Sequence, residues 1–189
     1  MLSTLSFPPG QELLFRLPAH VRADGFSVRP ACDADIPFMR QLYGDLRGSE
    51  LNSLPWPEAA KQTFLDHQFS LQHRHYIRYY VPGDFLLIAH EGAPIGRLYL
   101  HHGTPDFLLV DIALSPQWRN RGMGTLLIQA AQDAAAQASA RGLALHVEQR
   151  NTAARRLYDR LGFMLAGESD GQRFEMHWPC RAELTSALS

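Results

Sequence analysis

The sequence has little cysteine: Cys32 and Cys180 are the two it contains in 189 residues, and neither belongs to a CxxC pair. That excludes a disulfide scaffold and points to a reducing, cytoplasmic setting; a single bridge between the two stays open. A basic stretch followed by an apolar run is also missing from the start, where Pro8, Pro9 and Gly10 interrupt the chain, so a secretory leader is not expected. No apolar run approaches the length of a membrane span. Charge of one sign is not in excess. The formal net charge is -1, which leaves no electrostatic footprint for nucleic acid or a membrane surface. Metal-ligating patterns are absent too. His73 and His75 do not share a helix face, His101 and His102 alternate across a strand, and there is no HExxH, so no metal is expected. Neither a repeat nor a low-complexity tract occurs.

What is present is an ordinary globular mixture, 46% hydrophobic and 20% charged, long enough for one domain with a sizeable core. That domain is expected over residues 25–179, with residues 1–24 as an N-terminal extension and 180–189 as a tail. The extension carries one short strand near Leu13 to Leu17 and either covers part of a cleft or joins a homodimer. Phe26 to Val28 alternates as a strand. Asp33 or Asp35 caps a helix to about Leu46, with Ile36, Met39, Leu42 and Tyr43 on its apolar face. A long helix follows from Pro57 to about Tyr80, with Leu65, Phe69, Tyr76 and Tyr80 on one side. Three strands come next: Asp84 to His90, Pro94 to His102 and Phe107 to Ser115. Leu127, Ala130, Ala131, Ala134 and Ala138 form a small-residue stripe suited to close helix–sheet packing. Leu143 to Val147 is a strand, Asn151 caps a short helix, and a hairpin closes the chain. Short turns in the first half imply antiparallel pairing. The strand–helix–strand run from Phe107 to Val147 implies a right-handed parallel crossover. The expected fold is thus α/β, a mixed sheet with helices on it.

The segment SPQWRNRGMGTLLIQ puts Gly122 and Gly124 between a strand and a helix, with Arg119 and Arg121 just before them. It is not a Walker A loop, because the spacing differs and no lysine follows. It is not a full dinucleotide fingerprint, because Leu127 stands where the third glycine belongs. Glycines allow a ligand to approach the backbone, unpaired N–H groups at a helix start favour an anion, and arginines add charge-assisted hydrogen bonds. Solvent-exposed arginines beside a plain strand–helix turn would give the same pattern.

The next strand is followed by VEQRNTAARRLYDRLGF, from Val147 to Phe163. With Arg119, Gly122 and Gly124 as [Q/R]xxGx[G/A], and Asn151, Ala154, Leu157, Tyr158, Gly162 and Phe163 as NxxAxxLYxxxGF, the chain resembles the GNAT superfamily of acetyl-CoA-dependent N-acetyltransferases. The resemblance runs from about Phe26 to Trp178 and is sharpest from Leu108 to Phe163. It implies a mostly antiparallel sheet with a splayed parallel pair, helices on both faces, and acetyl-CoA as cosubstrate in the splay. It implies that the pyrophosphate rests on the backbone N–H groups of Arg121, Gly122, Met123, Gly124 and Thr125, with Arg119 and Asn120 also binding the cofactor. It further implies that the pantetheine arm pairs with Ile112, Ala113 and Leu114, with Asn151 as a further contact or only an N-cap. A backbone N–H near Leu114 would polarise the thioester carbonyl.

Tyr158 is the candidate general acid for the departing thiolate, and it also fits an apolar helix stripe. Asp111, a charge inside the apolar strand FLLVDIAL, is the candidate base or a structural ion-pair partner. Bases in the family often lie nearer the positions of Leu108 and Val110, so strand alternation turns Asp111 away from the cleft unless a bulge intervenes. Deprotonation through water, with Glu50 or His102 nearby, is the other route. The acceptor is an amine on a small molecule or peptide, bounded by Gly48 to Trp56, by Gln68, Gln72, His75 and Tyr79, and by Glu168 to Arg173. Glu50, Glu168 and Asp170 are candidates for attracting a cation. A silent acyl-CoA-binding module and a Rossmann-type nucleotide binder are the alternatives.

Overall fold

In the computed structural model, which describes residues 6–9, 12–169 and 171–180, the apolar runs form a seven-stranded sheet. In chain order the elements are α1 (Ala19–Ala23), β1 (Phe26–Pro30), α2 (Ile36–Arg47), α3 (Glu58–Tyr79), β2 (Gly83–His90), β3 (Ala93–His101) and β4 (Phe107–Leu114). They continue with α4 (Met123–Gln137), β5 (Gly142–Glu148), α5 (Thr152–Arg160), β6 (Met164–Ser169) and β7 (Arg173–Pro179). The strand order is β1-β2-β3-β4-β5-β7-β6. Every neighbouring pair is antiparallel except β4 and β5, joined by the α4 crossover.

Alternation along the strands sends side chains to two opposite layers. On β2, Leu86 and Ile88 enter the larger core, whereas Leu87 joins Met39 of α2 and Phe69 of α3. The larger core is completed by α4, whose Leu127, Ala130, Ala131 and Ala134 are buried. Ala138, expected in the same stripe, is instead the exposed C-cap of α4. Helices therefore cover both faces.

The sequence reading of the N-terminus differs from the structure. Residues 12–18 form no strand, and α1 follows them unanticipated. The buried carboxylate of Asp84 replaces a strand partner: its Oδ2 accepts the N–H groups of Leu14 and Phe15 at 3.2 and 2.9 Å. Phe15, Leu17 and Val21 then enter the larger core. Asp35 does more than begin α2. It accepts two 2.7 Å hydrogen bonds from Arg29 and one from the Cys32 N–H. Cys32 is exposed and Cys180 buried, and both are free thiols. No helix among the described residues is long and apolar enough to cross a membrane.

Candidate active site

The parallel pair β4–β5 stays together for only three residues on each strand: Phe107, Leu108 and Leu109 face Leu143, Ala144 and Leu145. Beyond Leu109 the strands part. Each keeps its other neighbour, β4 along β3 as far as Leu114 and β5 along β7 as far as Glu148. The edges facing each other thus lose their ladder, and a cavity of about 690 Å³ opens there. Asp111, Ile112, Asn151 and Tyr158 all line it.

Asp111 reaches this cavity because β4 is bulged. Tyr99 faces Asp111 but Leu100 faces Leu109, so Val110 is the extra residue. Before the bulge Phe107 and Leu109 enter the larger core; after it Leu114 does, with Ile112 packed against that core. The parity change moves Asp111 to the opposite face, where α3 lies. There Arg97 Nη2 stands 2.6 Å from Asp111 Oδ2 and also donates to Gln72 Oε1 at 3.0 Å. Burial opposes the Arg97 charge, but Asp111 first and then Tyr99 and Tyr76 together outweigh it, so the guanidinium pKa lies above its ordinary value. The two expectations for Asp111 meet in one residue: it faces the cavity and it is ion-paired.

Tyr158, on α5, is buried beside Phe163, their ring centroids 5.7 Å apart. Burial first, and the negative charge of Asp111 second, push its phenol up to about 12. Tyr76 lines the same cavity from α3, and burial followed by the Asp111 charge likewise raises its phenol. Asn151 is a true N-cap: its Oδ1 accepts the Ala154 N–H at 3.1 Å.

Arg119 to Thr125 lie beyond the open end of β4 and do not line this cavity. Gly122 is the N-cap of α4, with φ +84°, a region that favours glycine; no side chain caps the helix, and nothing lies within 4 Å of where its Cβ would be. Asn120 also has positive φ, at 57°. Arg119 Nε donates to the Leu114 carbonyl at 2.9 Å, while its buried Nη2 has no hydrogen-bond partner. Arg121 sits over the Trp118 ring. An uncapped helix start beside an unpartnered guanidinium nitrogen fits a phosphate group.

Other expectations fare differently. His102 does not line the cavity; its Nε2 lies 3.4 Å from Asp84 Oδ2 and its ring stacks on Phe107. Gln72, His75 and Arg173 line it, but Gln68 and Tyr79 do not. Asp170 and the side chain of Glu168 lie outside what the structure describes. None of the described residues before Asp24 lines the cavity. Sequence reasoning missed Arg47, Arg97, Glu148 and Arg150. Arg97 carried a usable signal, a lone charge in the apolar strand PIGRLYL, next in the sheet to the strand FLLVDIAL with its own lone charge.

An open mixed sheet whose parallel pair parts beside a glycine-led helix is the architecture that the sequence resemblance implied. The chain belongs to the acetyltransferase (GNAT) family, whose model matches residues 46–163. No curated protein matches the sequence. Among solved structures, it is similar to the PaiA N-acetyltransferase from Thermoplasma acidophilum in complex with coenzyme A. That match has 15% identity and a TM-score of 0.63, covering 82% of this chain and 98% of that one. It is also similar to the ribosomal-protein-S18-alanine N-acetyltransferase from Escherichia coli, with 18% identity, TM-score 0.55, and 82% and 93% coverage. A third is a spermidine N-acetyltransferase chimera of SpeG from Vibrio cholerae and hSSAT, with 18% identity, TM-score 0.59, and 85% and 98% coverage.

Proposed function

We propose that this chain moves an acetyl group from acetyl-CoA to a primary amine, by direct attack within a ternary complex. The observation that carries the reading is the parting of β4 and β5 after Leu109. It leaves a strand edge between the uncapped start of α4 and a cavity holding Asp111 and Tyr158. Coenzyme A in the similar PaiA structure supports the cosubstrate.

Bound acetyl-CoA supplies an activated acyl thioester. On this reading Arg119 and the backbone of Asn120, Arg121, Gly122, Met123, Gly124 and Thr125 hold the diphosphate. The backbone of Ile112, Ala113 and Leu114 orients the pantetheine arm, and an N–H near Leu114 stabilises charge developing on the carbonyl oxygen. Asn151 keeps its NH2 group as a donor toward the same arm. Tyr158 holds a proton for the departing thiolate, and its phenol, pushed up to about 12 by burial, carries that proton at neutral pH as an ordinary tyrosine also would. Asp111 accepts the proton that an ammonium must lose before it can attack, directly or through water.

The test is a thermal-shift series with acetyl-CoA, CoA, NAD and ATP, followed by an amine panel. A ligand that binds only the native state raises the midpoint by mass action. Stabilisation by acetyl-CoA and CoA with none by NAD or ATP is expected, and no shift with saturating acetyl-CoA refutes the reading. The ion pair that engages Asp111 favours one second reading, an acyl-CoA-binding module without turnover. CoA binding with no acetyl transfer to any amine would establish that instead.

A further inference from the structure

Four charged side chains close a ring at the edge of the cavity. Arg47 Nη1 meets Glu50 Oε1 at 2.9 Å, and Arg47 Nη2 meets Glu148 Oε1 at 2.9 Å. Arg150 Nε meets Glu148 Oε2 at 2.9 Å, and Arg150 Nη2 returns to Glu50 Oε1 at 3.2 Å. All four residues line the cavity that holds Asp111 and Tyr158, and Arg150, 68% exposed, marks its outer rim.

The two carboxylates are held differently. Glu148 belongs to β5, which β7 fixes along its length, and it gives a separate oxygen to each arginine. Burial opposes its charge, but the hydrogen bonds from Arg150 and Arg47 outweigh burial and hold its carboxyl below the usual range. It is therefore a fixed bracket that aims both guanidiniums. Glu50 sits on a 3-10 turn, Gly48–Leu51, offers both arginines the same single oxygen, and is 42% exposed.

We propose that Arg47 and Arg150 form a subsite for a carboxylate carried by the acceptor amine, with Glu50 as its internal placeholder. Exchange of Glu50 for a substrate carboxylate keeps two charge-assisted contacts and adds bidentate geometry that one shared oxygen lacks. With Glu50 displaced, an ammonium in its place would meet two guanidiniums offset only by Glu148, so the position suits an anion rather than a cation. The acceptors selected are amino acids and other short amines with a carboxylate, the carboxylate at the rim and the amine toward Asp111. This rests on the acetyltransferase reading for the amine end only.

The experiment titrates N-acetylglycine and its primary amide calorimetrically into the wild-type chain, Glu50→Ala and Arg150→Met. The acid is expected to bind about tenfold tighter than the amide, the scale of one charge-assisted hydrogen bond. Glu50→Ala should strengthen binding of the acid and leave the amide unchanged, and Arg150→Met should erase the preference. Equal binding of acid and amide, no measurable binding of either, or weaker acid binding in Glu50→Ala overturns the subsite. So does tight binding of spermidine that Glu50→Ala abolishes. Acetyl transfer is then compared for amino acids and their decarboxylated amines, and faster transfer to the decarboxylated set also overturns it. If the acid preference holds and no amine is acetylated, the subsite stands and the transferase reading falls.

Discussion

Arg97 Nη2 and Asp111 Oδ2 stand 2.6 Å apart, with the guanidinium side chain 3% exposed and the carboxylate at the cavity wall. Neither charge is tolerable there alone, because removing one partner strands the other in a poorly solvated site.

Arg97→Met should therefore destabilise the fold by about 3–5 kcal/mol, the usual cost of breaking a buried pair from one side. Arg97→Met combined with Asp111→Leu should recover much of that loss. Urea unfolding of both variants checks it, and a double variant as unstable as the single one would refute the pairwise account.

Tyr158→Phe removes one hydroxyl from a packed ring. If that hydroxyl protonates the thiolate, kcat should fall by about 100-fold, the lower range for general acid catalysis. The KM for acetyl-CoA should change little. Steady-state kinetics at neutral pH decide it, and an unchanged kcat removes Tyr158 from the chemistry.

The same phenol links stability to alkaline pH. Its folded pKa of about 12 lies above the ordinary value of 10.0, so the unfolded chain releases the proton first. Stability should therefore hold below pH 10 and fall as pH rises from about 10 toward about 12. Tyr158→Phe should flatten part of that decline, as measured by chemical denaturation at several pH values.

Gly96 faces the end of β4 with no room to spare. A Cβ there would stand 2.5 Å from the Ala113 carbonyl oxygen and 2.7 Å from Leu114 Cδ2. Gly96→Ala should cost about 1–3 kcal/mol through overpacking. It should also raise the KM for acetyl-CoA, because it displaces the strand edge assigned to the thioester arm. A stability loss with an unchanged KM would detach Ala113 and Leu114 from cofactor binding.

Local signals made most of the fold legible. Helix periodicity located α2, α3 and α4 because each buries a stripe, and Asn151 announced α5 because its side chain caps the first turn it precedes. The N-terminal segment was misread because its partners are not periodic: a single carboxylate, Asp84, holds Leu14 and Phe15 from far along the chain. The cavity was half legible. Tyr158 and Asn151 stood out by spacing, but the Arg47–Glu50–Arg150–Glu148 ring joins residues about a hundred positions apart, and no local pattern encodes that closure.

The bulge at Val110 makes β4 a strand with two reading frames. Residues before it and residues after it obey opposite parities, so a different side chain confronts the cavity while the layer behind keeps its pattern. One inserted residue, absorbed locally, separates the chemistry of the wall from the architecture that supports it. Strand β4 can thus be revised in its outer half while its inner half continues to anchor the sheet.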